Sequence, residues 1–168
     1  MKLEKISLKH KEMIEDIKKE YDTLNEDYNG AFFIKEYTDY NKLINDLDNY
    51  SNGIINNPNY VPYTCYVLIN DNKIIGVGSI RHYLNEYLEN FGGHIGYSIV
   101  PSARLKGYGT KLLNLLLKEA KSKKIDKVLI TCSDTNIGSK KVIENNHGKL
   151  INKIENNNKL TCRYIISL

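Results

Sequence analysis

The run Arg104-Leu105-Lys106-Gly107-Tyr108-Gly109-Thr110 sets two glycines one residue apart, after a strand-like segment and at the head of an apolar helix. Glycine lets a backbone turn tightly and approach a ligand. The first N–H groups of a helix have no partner within it, so such a start takes an anion, above all a phosphate. A second set of reactive side chains lies just upstream. His94 carries an imidazole whose ordinary pKa of about 6.5 suits proton transfer near neutrality, or it is a packed strand histidine. Glu86 and Glu89 offer carboxylates that either take a proton, attract a cation or only solvate a loop. Tyr97 adds a phenol. Alternation along a strand puts His94, Gly96 and Ser98 on one face and Ile95 with Tyr97 on the other. His94 and Tyr97 therefore address opposite sides unless a bulge intervenes.

The elements that must hold these groups follow from periodicity. His94 to Val100 reads as a strand stopped by Pro101, and Leu112, Leu113, Leu116, Leu117 and Ala120 then fall on one helical face. Lys127 to Thr131 returns as a strand, giving a βαβ crossover with the anion site at its helix start. Before it, a short strand at Leu3 to Ser7 and an amphipathic helix from about Lys9 to Tyr21 precede a second helix at Tyr37 to Tyr50. Strands at Tyr63 to Ile69 and Ile74 to His82 flank the turn Asn70-Asp71-Asn72-Lys73. After the crossover come a helix at Asn136 to Asn145, closed by His147-Gly148, and strands at Lys149 to Ile154 and Leu160 to Ser167 around an Asn-rich turn. This order predicts an α/β chain of the α+β type, in one domain over residues 1–168. Its central sheet is mixed and mainly antiparallel, with one parallel βαβ crossover and helices on both faces.

Composition narrows the classes. With 168 residues, 41% hydrophobic and 26% charged, the chain can bury a core without disulfides or metals. The cysteines Cys65, Cys132 and Cys162 are far apart and only four histidines are present, so no metal set is expected. No apolar run approaches the roughly 18 residues of a membrane span, which predicts a cytoplasmic protein without a membrane partner. The net charge of +4 is uneven: residues 1–84 hold 10 Lys/Arg against 13 Asp/Glu, a net of −3, and residues 85–168 hold 14 against 7, a net of +7. A basic half meeting nucleic acid is one reading, but no basic and aromatic interleaving marks a groove, and an acidic half would repel a phosphate backbone.

The run Gly93-His94-Ile95-Gly96-Tyr97 through Pro101, Arg104-x-x-Gly107-x-Gly109, Leu129-Ile130-Thr131-Cys132, Asn136 and Gly148 resembles the GNAT (Gcn5-related) N-acetyltransferases, from about Val61 to the C-terminus. Arg81-His82, Asn85-Glu86-Tyr87 and Gly92-Gly93-His94 are similar to a group of bacterial acetyltransferases of unassigned substrate. The resemblance implies that acetyl-CoA lies between the fourth and fifth strands. Main-chain groups around Ile99 and Val100 would pair with the pantetheine arm, and the pyrophosphate would rest on the N–H groups from Arg104 through Leu105, Lys106, Gly107, Tyr108 and Gly109 to Thr110. A Cβ at either glycine would hold the backbone off the phosphates. Arg104, Lys106 and Lys111 would add charge, and Lys140 or Lys141 would approach the adenosine 3′-phosphate. Asn136 would contact the pantetheine region, be a plain helix N-cap, or both, with Ser139 as a small residue beside the cofactor. His94 falls where many members carry a glutamate base.

One departure is plain. The family's usual tyrosine acid, seven residues after the asparagine, is Ile143 here. Water, Ser133, Asn136 or another tyrosine must then protonate the departing thiolate. The expected activity is acetyl transfer from acetyl-CoA to a primary amine of a small molecule or peptide, by direct attack in a ternary complex. An acyl-CoA-binding protein without turnover and a nucleotide- or RNA-binding module are the competing readings. A homodimer is an expectation of the family only.

Overall fold

The structure, a computed structural model, describes residues 1–26, 28, 30, 32–35, 37–156 and 158–168, so the tip of the expected Asn-rich turn, residue 157, lies outside the described residues. Four strands form one antiparallel sheet: β1 (Lys2–Lys5), β2 (Tyr63–Asn70), β3 (Lys73–Arg81) and β4 (Ile95–Ile99), in that spatial order. Asp71 and Asn72 both adopt positive φ, which gives the β2–β3 hairpin the left-handed turn that matches strand twist. A second antiparallel sheet holds β5 (Lys127–Ser133), β6 (Lys149–Asn156) and β7 (Lys159–Ser167) in the order β5-β7-β6. The mixed α/β class expected from sequence holds, with one difference. β4 and β5 form no ladder, so the expected continuous sheet is split into two, and each of these strands is an edge.

Helices cover both faces. Helix α1 (Lys11–Leu24) buries Ile14, Ile17 and Tyr21, and α3 (Tyr40–Ser51) buries Tyr40, Ile44 and Leu47 against β2. Asp39 caps α3 by accepting from the N–H groups of Asn41 and Lys42. A four-residue turn of helix, α2 (Phe32–Lys35), precedes it. On the other side α4 (Tyr108–Ser122) packs its leucine stripe on β3 and β4, and α5 (Ile137–Asn145) packs on α4 and β5. Leu112, Leu113, Leu116 and Ile143 are fully buried, which shows why an apolar residue serves at 143: it is core. One contiguous cluster of buried residues runs through both sheets.

Candidate active site

The gap between the two sheets is pinned at one end by His94. Its N–H donates to the Leu129 carbonyl at 2.7 Å, and its Nδ1 accepts from the Leu129 N–H at 3.0 Å. Thr131 Oγ1 adds a bond to the Phe91 carbonyl at 2.8 Å. β4 and β5 thus touch at this fork and separate beyond it. A ring nitrogen that accepts a hydrogen bond carries no proton, so the remaining proton sits on Nε2 and the imidazole is neutral. Burial also holds the His94 pKa below its ordinary value, with Arg81 adding to the effect.

Beyond the fork, no strand pairs with the outer edge of β4 among the described residues. Arg81 N–H donates to His94 O and Val100 N–H to Ile75 O, so the even-numbered residues bond to β3 and the odd-numbered ones point across the gap. Two of the groups expected to pair with a ligand are already engaged: Val100 N–H through Ile75, and the Ile99 carbonyl through Arg104 Nε at 3.2 Å and the Tyr21 hydroxyl at 3.4 Å. Among the described residues, the N–H groups of Tyr97 and Ile99 have no acceptor. Gly30, at positive φ, packs so closely against the Tyr97 main chain, from its N to its carbonyl, that no Cβ would fit, and it covers the β4 edge at that residue.

The loop from Arg104 leads directly into α4, where the sequence places the anion cradle. Among the described residues, no acceptor lies against the backbone N–H groups of 105 to 110; the first such bond in this stretch is Lys111 N–H to Gly107 O. Leu105 and Gly107 hold positive φ, and residues 104–107 are exposed. Consecutive unclaimed N–H groups with left-handed residues among them form a concavity for phosphate. Gly107 and Gly109 serve it differently. Gly107 supplies φ +78, with open space where a Cβ would stand, whereas a Cβ on Gly109 would come 2.9 Å from Val142 Cγ2. Gly109 is therefore explained by the α4–α5 contact. Arg104 pairs with Glu26 at 2.6 Å, and Lys106 Nζ reaches the Ser102 carbonyl at 3.1 Å. Lys140 is held by Asp134 at 2.7 Å, while Lys141 is exposed.

Across the gap, Asn136 caps α5 by accepting from the Ser139 N–H at 2.9 Å, so the cap reading is real. The Ser139 hydroxyl meets the Tyr97 hydroxyl at 2.9 Å. Tyr97 reaches from the α4 face of β4 to the first turn of α5, and burial pushes its pKa well above the ordinary phenol value. Cys132, on β5, borders the same spot, and burial raises its pKa to about 11, with Ser139 acting the other way. The alternation read from sequence holds, because Ser98 points the other way, to the Tyr21 hydroxyl at 2.7 Å. Glu86 is exposed beside a helical turn over Leu88–Gly92, which begins where Asn85 Oδ1 accepts from the Leu88 N–H. The structure does not bring Glu86 into contact with His94 or Tyr97. Sequence reasoning missed the Tyr97–Ser139 pair, because its partners lie 42 residues apart and meet only in the folded chain.

Two antiparallel sheets splayed at a histidine clamp, with an unclaimed row of N–H groups heading the crossover helix, constitute a fold that can be compared with known ones. A model of the acetyltransferase (GNAT) family matches residues 15–148. The chain belongs to the GNAT acetyltransferase family. Among solved structures it is similar to an N-acetyltransferase from Staphylococcus aureus Mu50, at 16% identity over 99% of this chain and 97% of that one, TM-score 0.67. It is also similar to the ribosomal-protein-S5-alanine acetyltransferase of Vibrio fischeri, at 14% identity over 98% and 91%, TM-score 0.71. A third, a putative acetyltransferase from Salmonella typhimurium with its cofactor acetyl-CoA, has 13% identity over 99% and 92%, TM-score 0.65. No curated protein matches the chain in sequence. This GNAT protein is an acyltransferase with acetyl-CoA as its co-substrate. Among the described residues no cluster of three or more His, Cys, Asp or Glu is arranged for a metal, and no helix is long and apolar enough to cross a membrane.

Proposed function

We propose that the chain, as one domain over residues 1–168, transfers the acetyl group of acetyl-CoA to a primary amine of a small molecule or peptide by direct attack. The carrying observation is the Tyr97–Ser139 hydroxyl pair at 2.9 Å, which lies beside the gap and beside α5. The amine nitrogen bonds to the thioester carbonyl carbon, the carbon–sulfur bond breaks, and the sulfur leaves as thiolate. Tyr97 then gives the thiolate its proton and regains one through Ser139. Burial makes this phenol a weaker acid, and the hydrogen bond from Ser139 offsets part of that by stabilising the phenolate; Tyr97 thereby supplies from β4 what Ile143 cannot supply from α5.

The N–H groups of 105–110, with Arg104, Lys106 and Lys141, bind the phosphates, and the edge N–H of Ile99 aligns the arm. Asn136 and Ser139 line the same side, with Ile99 and Val100 as main-chain wall. His94 is a positioning residue here: its Nδ1 is engaged and it carries no negative charge, so it holds the fork open at a fixed angle. The proton lost by the amine goes to water, and Glu86 contributes field at the acceptor entrance. Incubation with acetyl-CoA and a panel of primary amines, followed by thiol release and acceptor mass, tests this. A gain of 42 Da on an amine with one thiol per turnover is the expected result, the mass being that of an acetyl group replacing hydrogen (about 42 Da) in the reaction the pair supports. Binding of acetyl-CoA with no thiol released beyond the rate in buffer would favour a binding protein without turnover.

A further inference from the structure

On the face of β4 opposite Tyr97, a guanidinium has no counter-charge among the described residues. Arg81 ends β3, and its Nη1 and Nη2 lie 3.2 and 3.6 Å from where a Cβ on Gly96 would stand. Of its donors, Nη1 alone has a protein acceptor among the described residues, the Gly92 carbonyl at a long 3.4 Å. No described carboxylate is within salt-bridge distance, and burial pulls the Arg81 pKa down, as expected of a guanidinium without an anion beside it. Beside it lies a second group in the same state. Ser79 is fully buried, its Oγ has no hydrogen-bond partner, and it stands 3.4 Å from the same Gly96 Cβ position. A buried hydroxyl left unpaired costs about 1–3 kcal/mol, so this hydroxyl, beside a guanidinium with one long hydrogen bond among the described residues, marks a place where an acceptor belongs.

The two faces of β4 divide the reaction. Tyr97 and Ile95 look toward α4 and α5, where the phosphate cradle lies; Gly96 and Ser98 look toward α1, on the side where Arg81 and Ser79 sit. Gly96, without a side chain, lets the Arg81 guanidinium and the Ser79 hydroxyl lie close to the β4 main chain beside Tyr97. A guanidinium offers paired parallel donors that match a carboxylate, and the single positive charge balances a single negative one.

We propose that the acceptor is an amine that also carries a carboxylate, held by the Arg81 guanidinium and the Ser79 hydroxyl on the Gly96 face of β4. The inference rests on the acetyl-transfer reading above, and it names the substrate class for that site: free amino acids, or peptides whose C-terminal or side-chain carboxylate lies near the reacting amine.

The experiment measures kcat and KM for paired acceptors. Alanine and glycylalanine are set against their C-terminal amides, and glutamate amide is set against glutamine amide, so that α- and side-chain carboxylates are distinguished. In the wild type the carboxylate member of at least one pair is favoured by about tenfold or more in kcat/KM, the scale of one charge-assisted pair. Arg81→Gln abolishes that preference chiefly through KM, Arg81→Lys restores part of it, and acetyl-CoA affinity is unchanged. Ser79→Ala keeps the wild-type melting temperature or raises it and still weakens the preference, which a purely structural role would not produce. Equal use of both members by the wild type, or a preference that survives Arg81→Gln, overturns the proposal. If no amine is acetylated, the acetyl-transfer reading fails, and calorimetric titration of N-acetylglutamate into the CoA-saturated protein decides this one. Heat lost in Arg81→Gln supports it, and no binding to the wild type overturns it.

Discussion

Replacing Gly107 by alanine separates the cradle from the fold, because the structure supplies a matched control. Gly107 has φ +78 and Gly53, just beyond α3, has φ +80, and at both a Cβ would meet nothing within 4 Å. Alanine in the left-handed region costs about 1–2 kcal/mol, and the stiffer unfolded chain returns about 0.4–1 kcal/mol of that. Each variant should therefore lose roughly 0.5–1.5 kcal/mol, a fall in melting temperature of a few degrees for a chain of this size. Their effects on CoA must differ. At Gly107 the new methyl stands in open space within the run of N–H groups proposed to hold a phosphate, while Gly53 lies far along the chain from the cradle. Calorimetry should show Gly107→Ala weakening CoA by about tenfold or more, equal to about 1.4 kcal/mol, with Gly53→Ala at the wild-type value. Equal CoA affinity in the two variants, at equal stability, would refute the assignment of the cradle.

Three further outcomes follow from the same geometry. Tyr97→Phe keeps the ring packed and removes only the hydroxyl, so kcat should fall by about a hundredfold or more, within the range for a lost proton donor, with CoA affinity nearly unchanged; steady-state kinetics beside calorimetry checks this. Glu26→Gln releases Arg104 from its half-exposed ion pair at 2.6 Å, so CoA should bind up to about fivefold tighter, the scale of an exposed pair, and the gain should shrink as salt is raised. The His94 and His82 pKa values are both held low, chiefly by burial. A histidine with a depressed folded pKa binds fewer protons folded than unfolded, so it favours folding fully above about pH 6.5 and weakens it as pH falls from there. Urea midpoints from pH 7.5 down to 5 should decline, and His94→Gln should flatten part of that decline.

The sequence was most readable where partners are close along the chain. The R-x-x-G-x-G run, the leucine stripe of α4 and the Asn70–Lys73 hairpin are short-range patterns, and all three stand in the structure at nearly the expected residues. Asn136 as the cap of α5 is of the same kind, its partner being three residues away. The site itself depends on long separations. His94 finds Leu129 35 residues later, and Tyr97 finds Ser139 42 residues later. Neither spacing carries a periodic signal, so His94 reads equally well as a base or as a packed residue until Nδ1 is seen accepting from Leu129. The break between β4 and β5 was equally hidden, because strand residues look the same whether or not a neighbour pairs with them. The α2 turn is too short, at four residues, to show a helical period.

Backbone amide shifts on titration with acetyl-CoA test the central claim most directly, that the donor lies between the splayed sheets with its phosphates on the head of α4. The account predicts that the largest changes fall on the N–H groups of residues 105–110, followed by Tyr97, Ile99 and Ser139. Unmoved 105–110 amides in a protein that binds acetyl-CoA, with the changes gathered elsewhere, would contradict it.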